Sequence, residues 1–273
     1  MLFAFVGCSG VGKNTIIGDL LNEHPDEFDI LQTLTTRKMR EKETQGNPYY
    51  FVSMEEFEQL MKDGVIYEHE WIHEQLYGGS WHVLNEKKQS GKTLLKDIDI
   101  LGANKLKKTL KKEMEVISLF LYVEDVEILL DRLRGRGESE EEIEKRRRRF
   151  QLEMSLSTTA DYMINNVSRE EAGRVINEII RLEREEGYIK PSADCELPDI
   201  GEVQRLCEEA KLGASLACVE IGFNGREMLI TDGADRYAAA KKSGTFVQKR
   251  IRKLYDESLM PAAYDKEWKN LIK

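Results

Sequence analysis

Residues 2–6, LFAFV, are wholly apolar and run directly into GCSGVGKN at positions 7–14. A short apolar run ending at glycine suits a strand covered on both faces, the kind found in parallel sheets. The following stretch departs at one position from G-x-x-x-x-G-K-[ST], a pattern with a physical mechanism. Glycines let successive backbone N–H groups turn inward around phosphate oxygens, and the next helix adds the positive end of its dipole. Lys13 would reach the outer phosphates. Behind the loop, Ile16, Ile17, Leu20 and Leu21 recur at helical spacing, and Pro25 closes that segment. The departure is Asn14, where the pattern wants a hydroxyl for Mg²⁺. Thr15 offers one a residue later, and Asn14 has an amide oxygen of its own.

The rest of the first two thirds alternates strand and helix signals. Ser53 and Glu56 make a capping box ahead of Phe57, Leu60 and Met61, with Gly64 as the stop. Apolar runs at 94–100 and 116–123 read as buried strands. Val126, Leu129, Leu130 and Leu133 mark one helix, and Ser168 with Glu171 caps another carrying Val175, Ile176, Ile179 and Ile180. This alternation predicts an α/β fold with a mainly parallel core sheet.

The chain changes character near 184–191, which places a domain boundary at about residue 187. Residues 191–273 hold 13 basic and 14 acidic residues, so most of the net charge of −9 lies before them. Within that segment, residues 200–212 show a helical face. ACVEIGF and REMLIT flank Asn224-Gly225, a strong hairpin signal, and ADRYAAAKKSG reads as a helix ending at Gly244. A small α+β domain over 188–273 is the expectation.

Composition narrows the function classes. An acidic chain has little bulk attraction for nucleic acid or anionic lipid. No stretch approaches the ~20 apolar residues of a membrane span, and the N-terminus lacks a signal peptide's basic region. Cys8, Cys195, Cys207 and Cys218 form no C-x-x-C pair, which argues against a disulfide framework or structural zinc. A cytoplasmic setting without membrane partners is expected.

Beyond the loop, the sequence reads TLTTRKMREKETQGNPYYFVS at 33–53, YE at 67–68 and YGGS at 77–80. It continues with SGKTLLKDIDILG at 90–102, RLRGRGESEEEI at 132–143, KRR at 145–147 and ADYMINN at 160–166. In this order and spacing, these segments resemble the guanylate kinase family across residues 1 to about 185. The resemblance implies a P-loop nucleoside monophosphate kinase fold with an NMP-binding insertion at about 33–93 and a lid at about 125–150. It implies an Mg²⁺-dependent transfer of the γ-phosphoryl of ATP to GMP or dGMP.

Residue by residue, the resemblance assigns Gly7, Ser9, Gly10, Val11, Gly12, Lys13, Asn14, Thr15 and Asn165 to ATP. It assigns Arg37, Arg40, Tyr49 and Tyr77 to the GMP phosphate, which matches guanidinium and hydroxyl chemistry. Glu68 would accept from the two adjacent donors of guanine, a pair that adenine lacks. Thr33 stands where the family usually has serine near the base. Asp97 and Asp99 match a D-x-D that helps place the base, ribose or Mg²⁺, with Thr15 and Asp97 as the metal-side candidates. Arg132, Arg136 and Arg146 resemble lid arginines that act with Lys13 in catalysis. Gly79 replaces the family's Ser or Thr, with Ser80 a candidate substitute. Asn166 replaces an aspartate, and Lys96 replaces an apolar residue.

Plainer readings stand beside these. Arg37 and Arg40 could be surface ion pairs, and most of the basic run 146–149 a solvated face paired with acidic neighbours. HEWIH at 69–73 matches H-E-x-x-H, which binds zinc only on a helix, whereas extended chain is expected there. ITDGADRYAAAKKSG weakly resembles the G-x-x-R-x-x-A segment of ParB/sulfiredoxin-like domains, with Ala234 at the reactive cysteine's place. The basic residues Lys241, Lys242, Lys249, Arg250, Arg252 and Lys253 leave nucleic-acid binding open for this segment. Two other readings of the whole also stay open: a catalytically inactive guanylate kinase-like scaffold, and a related P-loop kinase with another phosphorylated acceptor. The oligomeric state is not legible.

Overall fold

The structure is a computed structural model of residues 1–273. It describes all but Ser9, Lys42, His73, Arg136, Glu138, Glu186, Tyr264 and Lys273, and the side chains of Ile72, Arg149, Arg252, Lys253, Asp265 and Lys266. The elements begin with β1 (Leu2–Gly7), α1 (Lys13–Glu23), β2 (Phe28–Ile30), β3 (Thr33–Thr35), β4 (Tyr49–Phe51), α2 (Met54–Lys62), β5 (Ile66–Ile72), β6 (Gln75–Ser80), α3 (Trp81–Gln89), β7 (Thr93–Asp97) and α4 (Ile100–Leu110). They continue with β8 (Val116–Tyr122), α5 (Val126–Arg134), α6 (Glu140–Leu156), β9 (Tyr162–Asn165), α7 (Arg169–Arg184), β10 (Lys190–Pro191), α8 (Ile200–Lys211), β11 (Val219–Phe223), β12 (Met228–Asp232), α9 (Ala234–Ser243), β13 (Lys249–Lys253) and α10 (Asp265–Ile272). Two compact units emerge: residues 1–4 with 17–116, and residues 5–16 with 117–273.

In the first unit β2 pairs with β7 in parallel, Phe28 opposite Thr93, and β7 also neighbours β1. A second, small sheet runs β4-β3-β6-β5. There β3 lies parallel to β4, while β6 is antiparallel to both β3 and β5. Helix α2 starts from the expected capping box: Ser53 Oγ accepts from Glu56 N, and Ser53 N donates to Glu56 Oε2 at 2.7 Å. Phe57 is fully buried behind it.

In the second unit the strand order is β10-β12-β11-β13-β9-β8-β1. The ladder is parallel from β8 through β9 and β13 to β11, with an antiparallel β11–β12 hairpin and a parallel β10 at its edge. Strand β8, VISLFLY, is buried at every residue, as a strand covered on both faces must be. The Asn224-Gly225 turn lies where the sequence placed it, with Gly225 at φ +89°. Between α5 and α6, Leu130, Leu133 and Ile143 form a buried cluster with Val126. Fully burying a side chain of this size contributes ~1.5–3 kcal/mol.

The segment 188–273, expected as a small α+β domain, is built of helices and strands within the second unit. Strand β13 pairs with β9 on one side and β11 on the other, so the C-terminal strands extend the sheet of the preceding chain. The sequence hides this because KRIRK reads as charged surface. In fact Ile251 is fully buried, Lys249 Nζ lies 4.4 Å over the Tyr162 ring, and Arg250 pairs with Glu220 at 3.7 Å. Helix α10, also unforeseen, buries Trp268, whose Nε1 donates to the Ile189 carbonyl at 3.2 Å.

Candidate functional site

The phosphate loop belongs to the second unit, and backbone conformation makes it. Gly7, Gly10 and Gly12 all have positive φ, at +128°, +85° and +101°. At Gly7 a methyl group would collide with the Leu121 carbonyl oxygen of β8, so the loop leaves the sheet only through glycine. At Gly12 a Cβ would lie 2.9 Å from Asn166 Nδ2. Lys13 opens α1 and folds its ammonium back onto the loop, donating to the Gly7 carbonyl at 2.7 Å and the Cys8 carbonyl at 3.4 Å. Those carbonyls hold the lysine over the glycine turn. Cys8 is buried, and burial with the nearby Glu153 pushes its thiol up, so it remains protonated. Ser9, expected in this loop, lies outside the described residues.

Asn166 braces the same loop, its Nδ2 donating to the Val11 carbonyl at 2.6 Å and its own N–H to the Tyr122 carbonyl at 2.7 Å. Asn165 ends β9 and is buried, and its Oδ1 has no hydrogen-bond partner. A buried amide acceptor left unsatisfied costs free energy until a donor arrives. Arg132, on α5, donates to the carbonyls of Asn166 and Val167 at 3.1 and 3.3 Å. Arg146, on α6, is half-buried. Arg136 lies outside the described residues. The plainer reading holds for the other described members of the basic run: Arg147 pairs with Glu127 at 2.9 Å and Arg148 with Glu144 at 3.3 Å.

The first unit gathers a different set. Arg37 lies 5.5 Å from the Tyr49 ring and 5.3 Å from the Phe51 ring, and its Nη2 donates to both Glu43 carboxylate oxygens at 2.7 and 3.0 Å. Glu43 holds the Arg37 guanidinium charged, and Arg37 in turn lowers the Glu43 carboxyl. The same carboxylate accepts from the Arg40 backbone N–H at 2.8 Å. Glu43 is a partner of Arg37 that sequence reasoning missed. Tyr49 and Tyr77 meet edge to face at 5.7 Å, and burial raises the Tyr49 hydroxyl. Burial likewise raises the Glu68 carboxyl of β5, opposed by the charges of Lys96 and Lys105. Asp97 is exposed at the end of β7. Asp99 caps α4, accepting from the N–H groups of Leu101 and Gly102 at 2.9 and 3.0 Å.

Across residues 2–183 the chain matches the family model described as guanylate kinase. This chain belongs to the guanylate kinase family. It is 38% identical over 134 residues to the guanylate kinase of Idiomarina loihiensis, covering 49% of this chain and 62% of that one. It is 36% identical to that of Lactobacillus delbrueckii subsp. bulgaricus, covering 49% and 64%. The chain thus spans less than two thirds of the length of the curated relatives it matches. Among solved structures, the guanylate kinase of Anaplasma phagocytophilum superposes with a TM-score of 0.50 at 27% identity, covering 67% of this chain and 85% of that one. With its mostly parallel sheet and glycine loop, the fold is that of a P-loop nucleoside monophosphate kinase.

Against that family, Gly79 now has a physical reason. A Cβ there would collide with the Tyr67 ring and hydroxyl. Tyr67 packs at 5.0 Å on Trp81, and its buried hydroxyl lacks a hydrogen-bond partner. The space of a Ser or Thr side chain at 79 is therefore filled from β5. Ser80 is buried and caps α3, its Oγ accepting from His82 N at 3.1 Å. HEWIH has its first four residues on strand β5, as expected, with His73 outside the described residues. The described residues contain no cluster of three or more His, Cys, Asp or Glu able to hold a metal.

The Mg²⁺ that the family implies meets suitable chemistry nonetheless. Thr15 is half-buried and Asn14 exposed in the first turn of α1, both offering hard oxygen donors. Mg²⁺ keeps several waters and needs only one or two protein groups beside nucleotide phosphates, so this donor set fits it.

In the C-terminal segment, Gly233 at φ +84° precedes α9. Arg236 there pairs with the Asp232 carboxylate and donates to the Cys218 carbonyl at 2.8 Å. Among the described residues, no helix is long and apolar enough to cross a membrane.

Proposed function

We propose that this chain transfers the γ-phosphoryl of ATP to GMP or dGMP, giving ADP and GDP or dGDP. The observation that carries this reading is the first-unit cluster: Glu68 half-buried beside two lysines, and Arg37 gripped by a carboxylate between two aromatic rings. A buried acceptor and a guanidinium already paired with an anion are what a purine with adjacent donors and a phosphate require.

In this reading the glycine loop and Lys13 hold the donor phosphates, and the unsatisfied Asn165 oxygen receives a donor from the adenine edge. Arg37 exchanges Glu43 for the acceptor's phosphate, with Arg40, Tyr49 and Tyr77 beside it. Glu68 and Thr33 read the base, and Asp97 and Asp99 steady the base or ribose. Arg132 and Arg146 neutralise charge as it moves between phosphates, together with Lys13. Bound Mg²⁺, with Thr15 as its protein-side partner, supplies charge neutralisation on the nucleotide phosphates. The attacking oxygen is already anionic, so no side chain must remove a proton. The protein works in the cytoplasm, and residues 188–273 serve as an accessory α+β extension of the kinase.

The test is coupled ADP release with ATP-Mg²⁺ and GMP, dGMP, AMP, CMP or UMP, with Lys13→Ala as control. Turnover confined to GMP and dGMP, and lost in the control, is the expected outcome. GMP binding without turnover by any acceptor would instead mark a nucleotide-binding scaffold.

A further inference from the structure

Lys96 stands in the interior of β7 with 4% of its surface exposed, an unusual place for an ammonium. Its Nζ donates to Thr33 Oγ1 at 2.7 Å and to the Leu31 carbonyl at 3.3 Å. Its charge also acts on Glu68 of β5 and Asp97 of its own strand. A buried lysine in place of an apolar side chain costs desolvation, so what it touches indicates what it is for.

An ammonium has three donors and no acceptor. Thr33 must therefore accept from Lys96 on one lone pair, which turns the Thr33 O–H away from the lysine and leaves it to be donated elsewhere. At the same time a positive charge near Glu68 favours its ionised form, which can only accept. One lysine thus sets the polarity of two side chains, a donor and an acceptor. Guanine carries the complement, an oxygen acceptor at C6 next to donors at N1 and on C2. Adenine presents a donor at C6 and an acceptor at N1, so it meets like against like.

We propose that Lys96 is a specificity-determining positioning residue, which fixes Thr33 as a donor and Glu68 as an acceptor and so selects guanine over adenine. This rests on the reading of the chain as a kinase of guanine mononucleotides. It assigns no contact between Lys96 and the substrate.

The experiment compares wild type, Lys96→Met, Thr33→Val and the double variant in steady-state assays with GMP and AMP. Lys96→Met should raise the KM for GMP about tenfold, the cost of one charge-assisted hydrogen bond. It should shift kcat by less than about threefold and leave the KM for ATP unchanged. The GMP-to-AMP ratio of kcat/KM should fall about tenfold by the same reasoning. Thr33→Val should lose a similar factor, and the double variant should lose less than the product of the two single losses, because the Thr33 arm is shared while the Glu68 arm is not. A preserved GMP-to-AMP ratio in Lys96→Met, or losses that multiply in the double variant, would overturn the inference. Should Lys96→Met fail to fold, Lys96→Gln takes its place: its amide oxygen can accept the Thr33 O–H and it carries no charge for Glu68, so the GMP-to-AMP ratio should fall again, and an unchanged ratio would overturn the inference. Wild type inactive on GMP would instead defeat the underlying kinase reading, a distinct result.

Discussion

Between Gly7 and Lys13 the proposed phosphate site is made by backbone: three positive-φ glycines and one lysine, all within seven residues. The proposed base site in the first unit uses side chains instead, from β3, β5 and β7, spread over more than sixty residues of sequence. The loop tolerates little, because a methyl at Gly7 meets a neighbouring strand's carbonyl. The pocket has been rewritten in several places: Lys96 against Thr33, and Tyr67 against Gly79. A geometry made by backbone leaves little room for a side chain, whereas one made by side chains can pair an unusual residue with a partner that accommodates it.

The largest expected effect separates the two regions. Lys13→Ala should cost about 10²–10³-fold in kcat, the scale for losing one preorganised charge stabiliser, with GMP binding retained. Equal loss of GMP binding by calorimetry would show that the two regions are not separable. Next, Glu68→Gln replaces an acceptor-only group with an amide and should lower kcat/KM for GMP about 100-fold, from two compromised charge-assisted hydrogen bonds. A KM for ATP that stayed constant would place the effect in the pocket alone.

A subtler effect tests the compensating pairs. Gly79→Ser restores the family's hydroxyl but should destabilise the fold by ~1–3 kcal/mol, because the Tyr67 ring fills that space. Tyr67→Leu with Gly79→Ser should recover most of the loss in urea unfolding. Failure of the pair to recover would mean that Gly79 and Tyr67 are independent.

The smallest effect is on pH dependence. Burial lowers the Lys96 ammonium to about 8 from its ordinary 10.5, against the opposing pull of Glu68 and Asp97. Between those values the unfolded chain holds a proton that the folded chain has released. This group therefore makes stability rise with pH through that window. The urea midpoint of wild type should gain on that of Lys96→Met between pH 8 and pH 10. A constant difference would show that Lys96 keeps its ordinary proton affinity.

The loop, the Ser53–Glu56 capping box and the Asn224-Gly225 hairpin were legible because each is a local device completed within a few residues. Of the residues the family segments singled out, Glu68 lies on β5 and Tyr77 on β6 of one small sheet, and Arg37 follows β3. What stayed hidden depends on partners distant in sequence. KRIRK became an interior strand because β9 and β11 flank it, and nothing within five residues announces that. Glu43 as the holder of Arg37, Tyr67 as the filler of position 79, and Lys96 as the partner of Thr33 are likewise visible only once the strands are aligned. The hydrogen bonds from Arg132 to the Asn166 and Val167 carbonyls at the end of β9 also join partners distant in sequence.

The most direct measurement is phosphorus NMR of the products formed from ATP-Mg²⁺ with an equimolar mixture of GMP and AMP. The expected spectrum shows GDP and ADP rising together while AMP persists and free phosphate stays at background. Free phosphate in place of GDP, or AMP consumed as fast as GMP, would contradict the assignment of the first-unit pocket to guanine.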